Sequence, residues 1–502
     1  MLFAVLPTAQ AQETIDAVVK GQLRVSDRHG ENVGRLEPGE KIQILGYYLG
    51  YGGSGNLGWK IATSQGERVM QARHFDALEV NYTALSPSQL WYLALLRSQA
   101  LGSQMKFGPG YAARAELEEE YVNLEQQLRF VTDPFLDDYL NTLLRQIYVG
   151  PLPLERRGAL HVRLYESSEP TAFACANGAV YLSTGLLSTL RTEDELVAIL
   201  ASQVGHVVLD QSVHNYLLEG QRIARAQFWG NLLTVAAAVG EVAAASSLYR
   251  RGYGDVYWAY DLGSFTHAVS NLSFSVAYKI ATRLGMEYTT EQYQEADGTA
   301  TQLLQSSGRD VSALYSALGR LINHYTETNN EQALKEDAHL KFLRGRQLHA
   351  LRLIQAKETP AQPEMDLPYL RRISLVNLMT ATQEYALSRY ERASQFSQLN
   401  IDAGVAVPED FLLQSAIIRR TQSAPEALEQ AFVFLEQARA RARRLPREYH
   451  VEKALVHLRL EQNDEARAAL EAYEQMDPHF AAASFEGESA MQWWVRNMLE
   501  KL

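Results

Sequence analysis

Residues 195–206 read Glu195-Leu196-Val197-Ala198-Ile199-Leu200-Ala201-Ser202-Gln203-Val204-Gly205-His206. The run is almost wholly apolar up to Ala201, contains no proline, and follows Thr192-Glu193-Asp194, so acidic side chains fall in a first turn where they suit the helix dipole. This predicts a helix. Ser202 and His206 are four apart and share one face of it, with Gln203 beside the first. Just upstream, Ala179-Val180-Tyr181-Leu182-Ser183 reads as a strand, as does the alternating Leu160-His161-Val162-Arg163-Leu164-Tyr165. Thr132-Asp133-Pro134 opens another helix before them.

Composition narrows the function classes. A chain of 502 residues is long enough for about three domains. Apolar residues make up 46% and charged residues 21%, ordinary values for folded protein. A formal net charge of −12 argues against nucleic acid as partner, because phosphate binding needs clustered Lys and Arg. The single cysteine, Cys175, excludes an internal disulfide and a cysteine-rich zinc site; between two alanines it reads as a small buried hydrophobe. At the N-terminus, Leu2-Phe3-Ala4-Val5-Leu6 followed by Ala9-Gln10-Ala11 has the form of a signal-peptide remnant over 1–12, which implies a periplasmic or secreted protein.

The expected fold class is α+β and multidomain. Residues 13–80 carry short strands (Leu23-Arg24-Val25, Lys41-Ile42-Gln43-Ile44-Leu45, Trp59-Lys60-Ile61-Ala62) separated by Asp27-Arg28-His29-Gly30, Pro38-Gly39 and the glycines of 50–53. Their order resembles a bacterial SH3-like β-barrel. Residues 81–368 form a mainly helical region with a small sheet, including helices over Leu85–Leu101 and Glu116–Tyr148. Residues 369–502 are helical and repetitive. Ala454, Ala466, Leu470, Tyr473 and Pro478 sit at tetratricopeptide-repeat (TPR) offsets, Ala381 and Ala393 share only the twelve-residue spacing, and Ala416–Leu445 lacks a clean register.

Several elements together resemble one family. Pro170-Thr171-Ala172-Phe173-Ala174 is similar to its N-A-F element, Gly178–Leu187 to its strand and turn, Glu195–Ala201 to its helix start, and Glu295-Ala296-Asp297 to the end of its E-x-E-A-D. The family is that of the HtpX/Oma/BepA-like zinc metallopeptidases of the gluzincin type. Its members use H-E-x-x-H, two histidines on one helical face holding Zn²⁺ with the adjacent Glu activating water, and a third ligand from a later Glu. Periplasmic members that carry TPR helices act near outer-membrane assembly.

The departures from that pattern decide the chemistry. The first ligand position is Ser202, the base position Gln203, and the third ligand position Tyr293; only His206 is kept. Glu291 and Glu295 lie two residues either side of Tyr293, ~200° around a helix, and cannot replace it. Asp297 faces as Tyr293 does and is the one substitute ligand on offer. A catalytic zinc needs about three protein ligands and an open position, and an amide cannot take a proton from water as a carboxylate does. No catalytic residue, metal or cofactor is therefore expected. Ser202, Gln203, His206 and Tyr293 are expected to form a polar cluster, with the phenol beside the imidazole as a hydrogen-bond partner.

Other groupings carry less. Ser202, His206 and Asp210 form a Ser-His-Asp series along one helix, but mid-helix N–H groups are already bonded and supply no oxyanion hole. His206 and His214 are ~12 Å apart along an axis and cannot share one ion. Residues 228–245 are strongly apolar but interrupted by Glu241, so they read as a packed helix, with interfacial membrane contact as the alternative. Arg250-Arg251 with Tyr253, Tyr257, Trp258 and Tyr260 reads as an aromatic loop, and no role attaches to His339, where Leu340 replaces the proline of a family His-Pro.

The expectation is thus an inactive relative of a periplasmic zinc metallopeptidase. It would bind a protein or peptide partner in envelope quality control or outer-membrane assembly, by strand addition in the old cleft or through the repeats. Two alternatives stand beside it: an active zinc metalloendopeptidase with remodelled ligands, and a TPR adaptor whose middle domain is a spacer.

Overall fold

The computed structural model describes residues 14–51, 56–71, 74, 77–86, 89, 92–93, 121–122, 124–126, 128–147, 160–175, 177–209, 211–212, 215, 288–326, 338–355, 360–476 and 490–502. The signal-peptide remnant over 1–12, Asp210, His214, Pro478, the apolar stretch 228–245, the aromatic loop after Arg250 and most of Leu85–Leu101 lie outside them. The chain divides into two compact units. The first comprises Met1–Tyr165, Thr171–Ser183 and Glu193–Pro363; the second comprises Glu166–Pro170, Thr184–Thr192 and Glu364–Leu502.

The first unit opens with a seven-stranded antiparallel sheet: β1 (Ile15–Val19), β2 (Leu23–Ser26), β3 (Asn32–Leu36), β4 (Lys41–Tyr51), β5 (Asn56–Thr63), β6 (Gly66–Gln71) and β7 (Leu78–Val80). Their order is β3-β2-β6-β5-β4-β1-β7. Alternation decides which face is buried: Ile15, Ala17 and Val19 point inward from β1, and join Ile44, Trp59, Ile61 and Met70 in the core. Turn chemistry sets the hairpins. Asp27 Oδ1 accepts from the N–H groups of His29 and Glu31, and Gly30 takes a positive φ of 87° that a side chain would resist.

A second sheet has three strands, β8 (His161–Tyr165), β9 (Ala172–Ala174) and β10 (Ala179–Ser183), in the order β8-β10-β9. β10 is central and wholly buried, parallel to β8 and antiparallel to β9. Helix α1 (Pro134–Ile147) begins where Asp133 Oδ1 accepts from Phe135 and Leu136 N–H. Asn141 of that helix closes the outer edge of β8, accepting from Val162 N–H at 2.9 Å and donating to Val162 C=O at 3.2 Å.

Helices α3 (Glu193–Val208), α4 (Thr290–Ser306), α5 (Ala313–Thr326) and α6 (Ala338–Leu353) complete the first unit. α3 is buried from Glu195 to Val208. α4 packs along it at Gly205, where a Cβ would lie 2.8 Å from the Ala296 carbonyl oxygen. α4 starts with a capping box: Gln292 N–H donates to Thr289 Oγ1, and Thr289 N–H to Gln292 Oε1.

The second unit is helical, with α2 (Thr184–Thr189) followed by α7 (Leu367–Arg372), α8 (Ser374–Ala386), α9 (Tyr390–Asp402), α10 (Pro408–Thr421), α11 (Pro425–Arg441), α12 (Arg447–Arg459), α13 (Asn463–Met476) and α14 (Ala490–Lys501). From α8 onward each helix packs on the next. No described helix is long and apolar enough to cross a membrane. The α+β, multidomain class expected from the sequence is the one observed.

A buried polar chain runs through this unit. Asn377 Nδ2 donates to Asn400 Oδ1, and Asn400 Nδ2 donates to Asp410 Oδ1, both at 3.0 Å. Burial pushes the Asp410 carboxyl up to about 6, although Val407 N–H and Asn400 bond to it. A folded pKa above the unfolded value favours the fold in acid, fully below ~3.9 and lost as pH rises through about 6. Protection of amides in α9 and α10 from hydrogen exchange is therefore expected to rise between pH 7.5 and pH 5, after correction for intrinsic exchange, and this gain should shrink in Asp410→Asn.

Candidate functional site

Three helices of the first unit converge on one buried cluster. α3 contributes Ser202 and His206, α4 contributes Tyr293 and Asp297, and α6 contributes Phe342 and Arg346. Ser202 Oγ donates to Asp297 Oδ1 at 2.9 Å. Arg346 grips the same carboxylate with both prongs, Nη2 to Oδ1 at 2.7 Å and Nε to Oδ2 at 3.0 Å, and Nη2 also reaches Ser202 Oγ at 3.2 Å. Its guanidinium carbon lies 4.7 Å from the centre of the Tyr293 ring and 5.7 Å from that of Phe342. A planar cation with a bidentate carboxylate and aromatic faces around it is the form in which charge is tolerated inside a protein.

His206 is held differently. Its ring stacks on Tyr288, centroids 4.0 Å apart and planes 18° off parallel, and meets Tyr293 edge-on at 4.9 Å. Nδ1 lies 2.6 Å from Gln211 Oε1. The Gln211 amide is oriented by its own donations, from Nε2 to Gln292 C=O at 2.9 Å and to Glu295 Oε2 at 3.2 Å. Its oxygen must then accept, so His206 Nδ1 carries the proton. Burial drives the imidazole pKa down to about 3, against the Gln211 hydrogen bond, which raises it, and with the help of the Arg346 charge. His206 is thus a neutral ring whose Nε2 lone pair is buried and unbonded among the described residues.

Ser202, His206, Tyr293 and Asp297 lie in one cluster, with bonds other than those expected. Tyr293 touches His206 through its ring, and Gln211 supplies the hydrogen bond expected of the phenol. Asp297 faces Ser202 and Arg346, where it was named as a substitute ligand beside His206. Ser202 points into that ion pair, so the Ser-His-Asp series has no Ser202–His206 bond among the described contacts. Gln203 is buried in the same helix, and Cys175 is buried with its thiol pushed up by desolvation. Sequence reasoning missed Tyr288, Gln211, Phe342 and Arg346. The Thr289–Gln292 capping pattern was the one local signal that a fixed side chain would precede α4.

A zinc ion does not fit these residues. One lone pair, His206 Nε2, is ready to bind a metal. The Ser202 hydroxyl and both Asp297 oxygens are engaged by a guanidinium, a cation that opposes a second cation beside it. Among the described residues no group of three or more His, Cys, Asp or Glu is placed to hold a metal. Gln203, beside Ser202, is an amide and cannot take a proton from water.

The helix pair α3–α4 and the small sheet beside it carry this cluster. Residues 144–365 match the model of peptidase family M48. The chain is 24% identical over 225 residues to the beta-barrel assembly-enhancing protease of Escherichia coli (strain K12), a stretch covering 45% of this chain and 38% of that protein. A Yersinia pestis protein of the same name is 26% identical over 196 residues, 38% of this chain and 34% of the relative. The matched stretches span well under half the length of these relatives.

Proposed function

We propose that this chain is a peptidase-like binding protein that has exchanged zinc chemistry for a buried ion pair. It works on protein partners in the bacterial envelope, in the assembly or quality control of outer-membrane β-barrel proteins. The observation that carries the reading is the Ser202–Asp297–Arg346 network, which spends the first ligand position and the one substitute carboxylate on a guanidinium. The relatives' name, beta-barrel assembly-enhancing protease, supports the envelope role. No metal or cofactor takes part.

Two finer assignments belong to the same proposal. The N-terminal sheet is an SH3-like barrel; the run β7-β1-β4-β5-β6 within its strand order supports this. The C-terminal helices are TPR-like repeats that offer the partner surface. Supporting that, Ala454, Leu470 and Tyr473, three of the repeat positions, pack in one buried cluster, and Ala466 is fully buried.

The test is incubation of the purified chain with a denatured outer-membrane β-barrel protein, with added zinc or with chelator. Saturable binding of equal strength in both, and no cleavage in either, is expected. Cleavage that chelator abolishes would sink the proposal and establish a remodelled metalloendopeptidase.

A further inference from the structure

The three-stranded sheet packs its edge strand β9 beside helix α3, and the register shows which groups of β9 face outward. Ser183 N–H donates to Thr171 C=O, and Cys175 N–H donates to Ala179 C=O. Thr171, Phe173 and Cys175 are therefore the residues that exchange bonds with β10, and the backbone groups of Ala172 and Ala174 point away from it. An outward carbonyl on an edge strand is the acceptor an added strand uses.

In this chain the Ala174 carbonyl is met by Tyr288. The phenol oxygen lies 3.4 Å from Ala174 O and 2.6 Å from Ser212 Oγ, so Ser212 donates to the phenol and the phenol donates to the strand. The ring lies flat on His206, and Tyr288, Ala174 and His206 are all buried. Tyr288 also stands edge-on to Tyr293, ring centres 5.6 Å apart. It is placed by the chain itself: the next residue, Thr289, is the N-cap of α4 with a complete capping box. The opposite edge of the sheet is closed in the same manner by Asn141 on Val162.

We infer that Tyr288 is a built-in stopper. It fills the space between β9 and α3, caps the strand's outward acceptor, and shuts the cleft to an extended peptide until the Tyr288–Thr289 segment moves. In the resting protein, partner binding then takes place elsewhere than in this cleft. The inference does not depend on whether the site binds metal, nor on whether the chain cleaves anything.

Histidine footprinting with diethylpyrocarbonate, read by peptide mass spectrometry on the full chain, tests it. In the wild type His206 is expected to react at least ~10-fold more slowly than the exposed His29. In Tyr288→Ala it approaches the His29 rate. Thr289→Ala leaves every site side chain in place and removes only the cap, and is expected to raise His206 reactivity about fivefold. Circular dichroism reports whether Tyr288→Ala is folded; if it is not, Thr289→Ala decides. Wild-type His206 reacting as fast as His29 would overturn the inference, as would protection unchanged in the folded variants.

Discussion

Replacing Arg346 with Met is expected to destabilise the first unit by about 3–5 kcal/mol, the usual loss when one partner of a buried ion pair is removed. Asp297 is fully buried, and both its oxygens are bonded to Arg346. Methionine fills much of the stem's volume but leaves a carboxylate with the Ser202 hydroxyl as its remaining described side-chain partner. The size of the loss comes from the orphaned charge and not from the missing pair, since replacing both partners together is often close to neutral. Arg346→Met with Asp297→Leu should therefore recover most of the stability. Urea denaturation of the full chain, followed by hydrogen exchange in α3, α4 and α6, measures both variants. A single variant as stable as wild type would mean that the pair contributes nothing to the fold.

Gly205→Val is the second large effect, expected to cost about 3 kcal/mol, near the upper end of the usual cost of overpacking a well-filled core. A Cβ at 205 would sit 2.8 Å from the Ala296 carbonyl oxygen and 3.0 Å from its Cα, both backbone atoms that cannot rotate away. α3 and α4 must then separate, and the 2.9 Å bond from Ser202 to Asp297 stretches with them. Gly205→Ala should show a smaller loss of the same kind. Denaturant midpoints for the two variants check the order. A valine variant with the wild-type midpoint would show that the helices are not in contact there.

The local parts of this fold were readable because their signals are local. Apolar runs predicted β10 and α3, an Asp-Pro start predicted α1, and turn residues bracketed β2, β4 and β5. Strands β1, β3, β6 and β7 escaped notice; β3 is exposed along most of its length, so no apolar alternation marks it. The site was legible in its polar positions on one apolar helix. By the resemblance to the zinc peptidases, Ser202, Gln203 and Tyr293 take the positions of His, Glu and Glu, and the motif alone carries that comparison.

The partners of these residues were not legible. Arg346 lies 49 residues from Asp297 and 144 from Ser202, and nothing in its own surroundings distinguishes it from Arg344 two residues before. Tyr288 meets Ala174 across 114 residues. Gln211 is close to His206 in sequence, yet its role depends on acceptors from α4, the Gln292 carbonyl and the Glu295 carboxylate. A motif records which residues are absent; only packing shows which ones took up their hydrogen bonds and charge.

On the proposed reading, a guanidinium-bound network stands where the family holds zinc. Metal content of the purified chain, measured by plasma mass spectrometry beside a His206→Ala variant after equilibration with zinc and removal of the excess, tests it most directly. Far less than one equivalent in both proteins is the predicted result. One equivalent of zinc in the wild type, lost in the variant, would contradict the account and return the chain to the metallopeptidases.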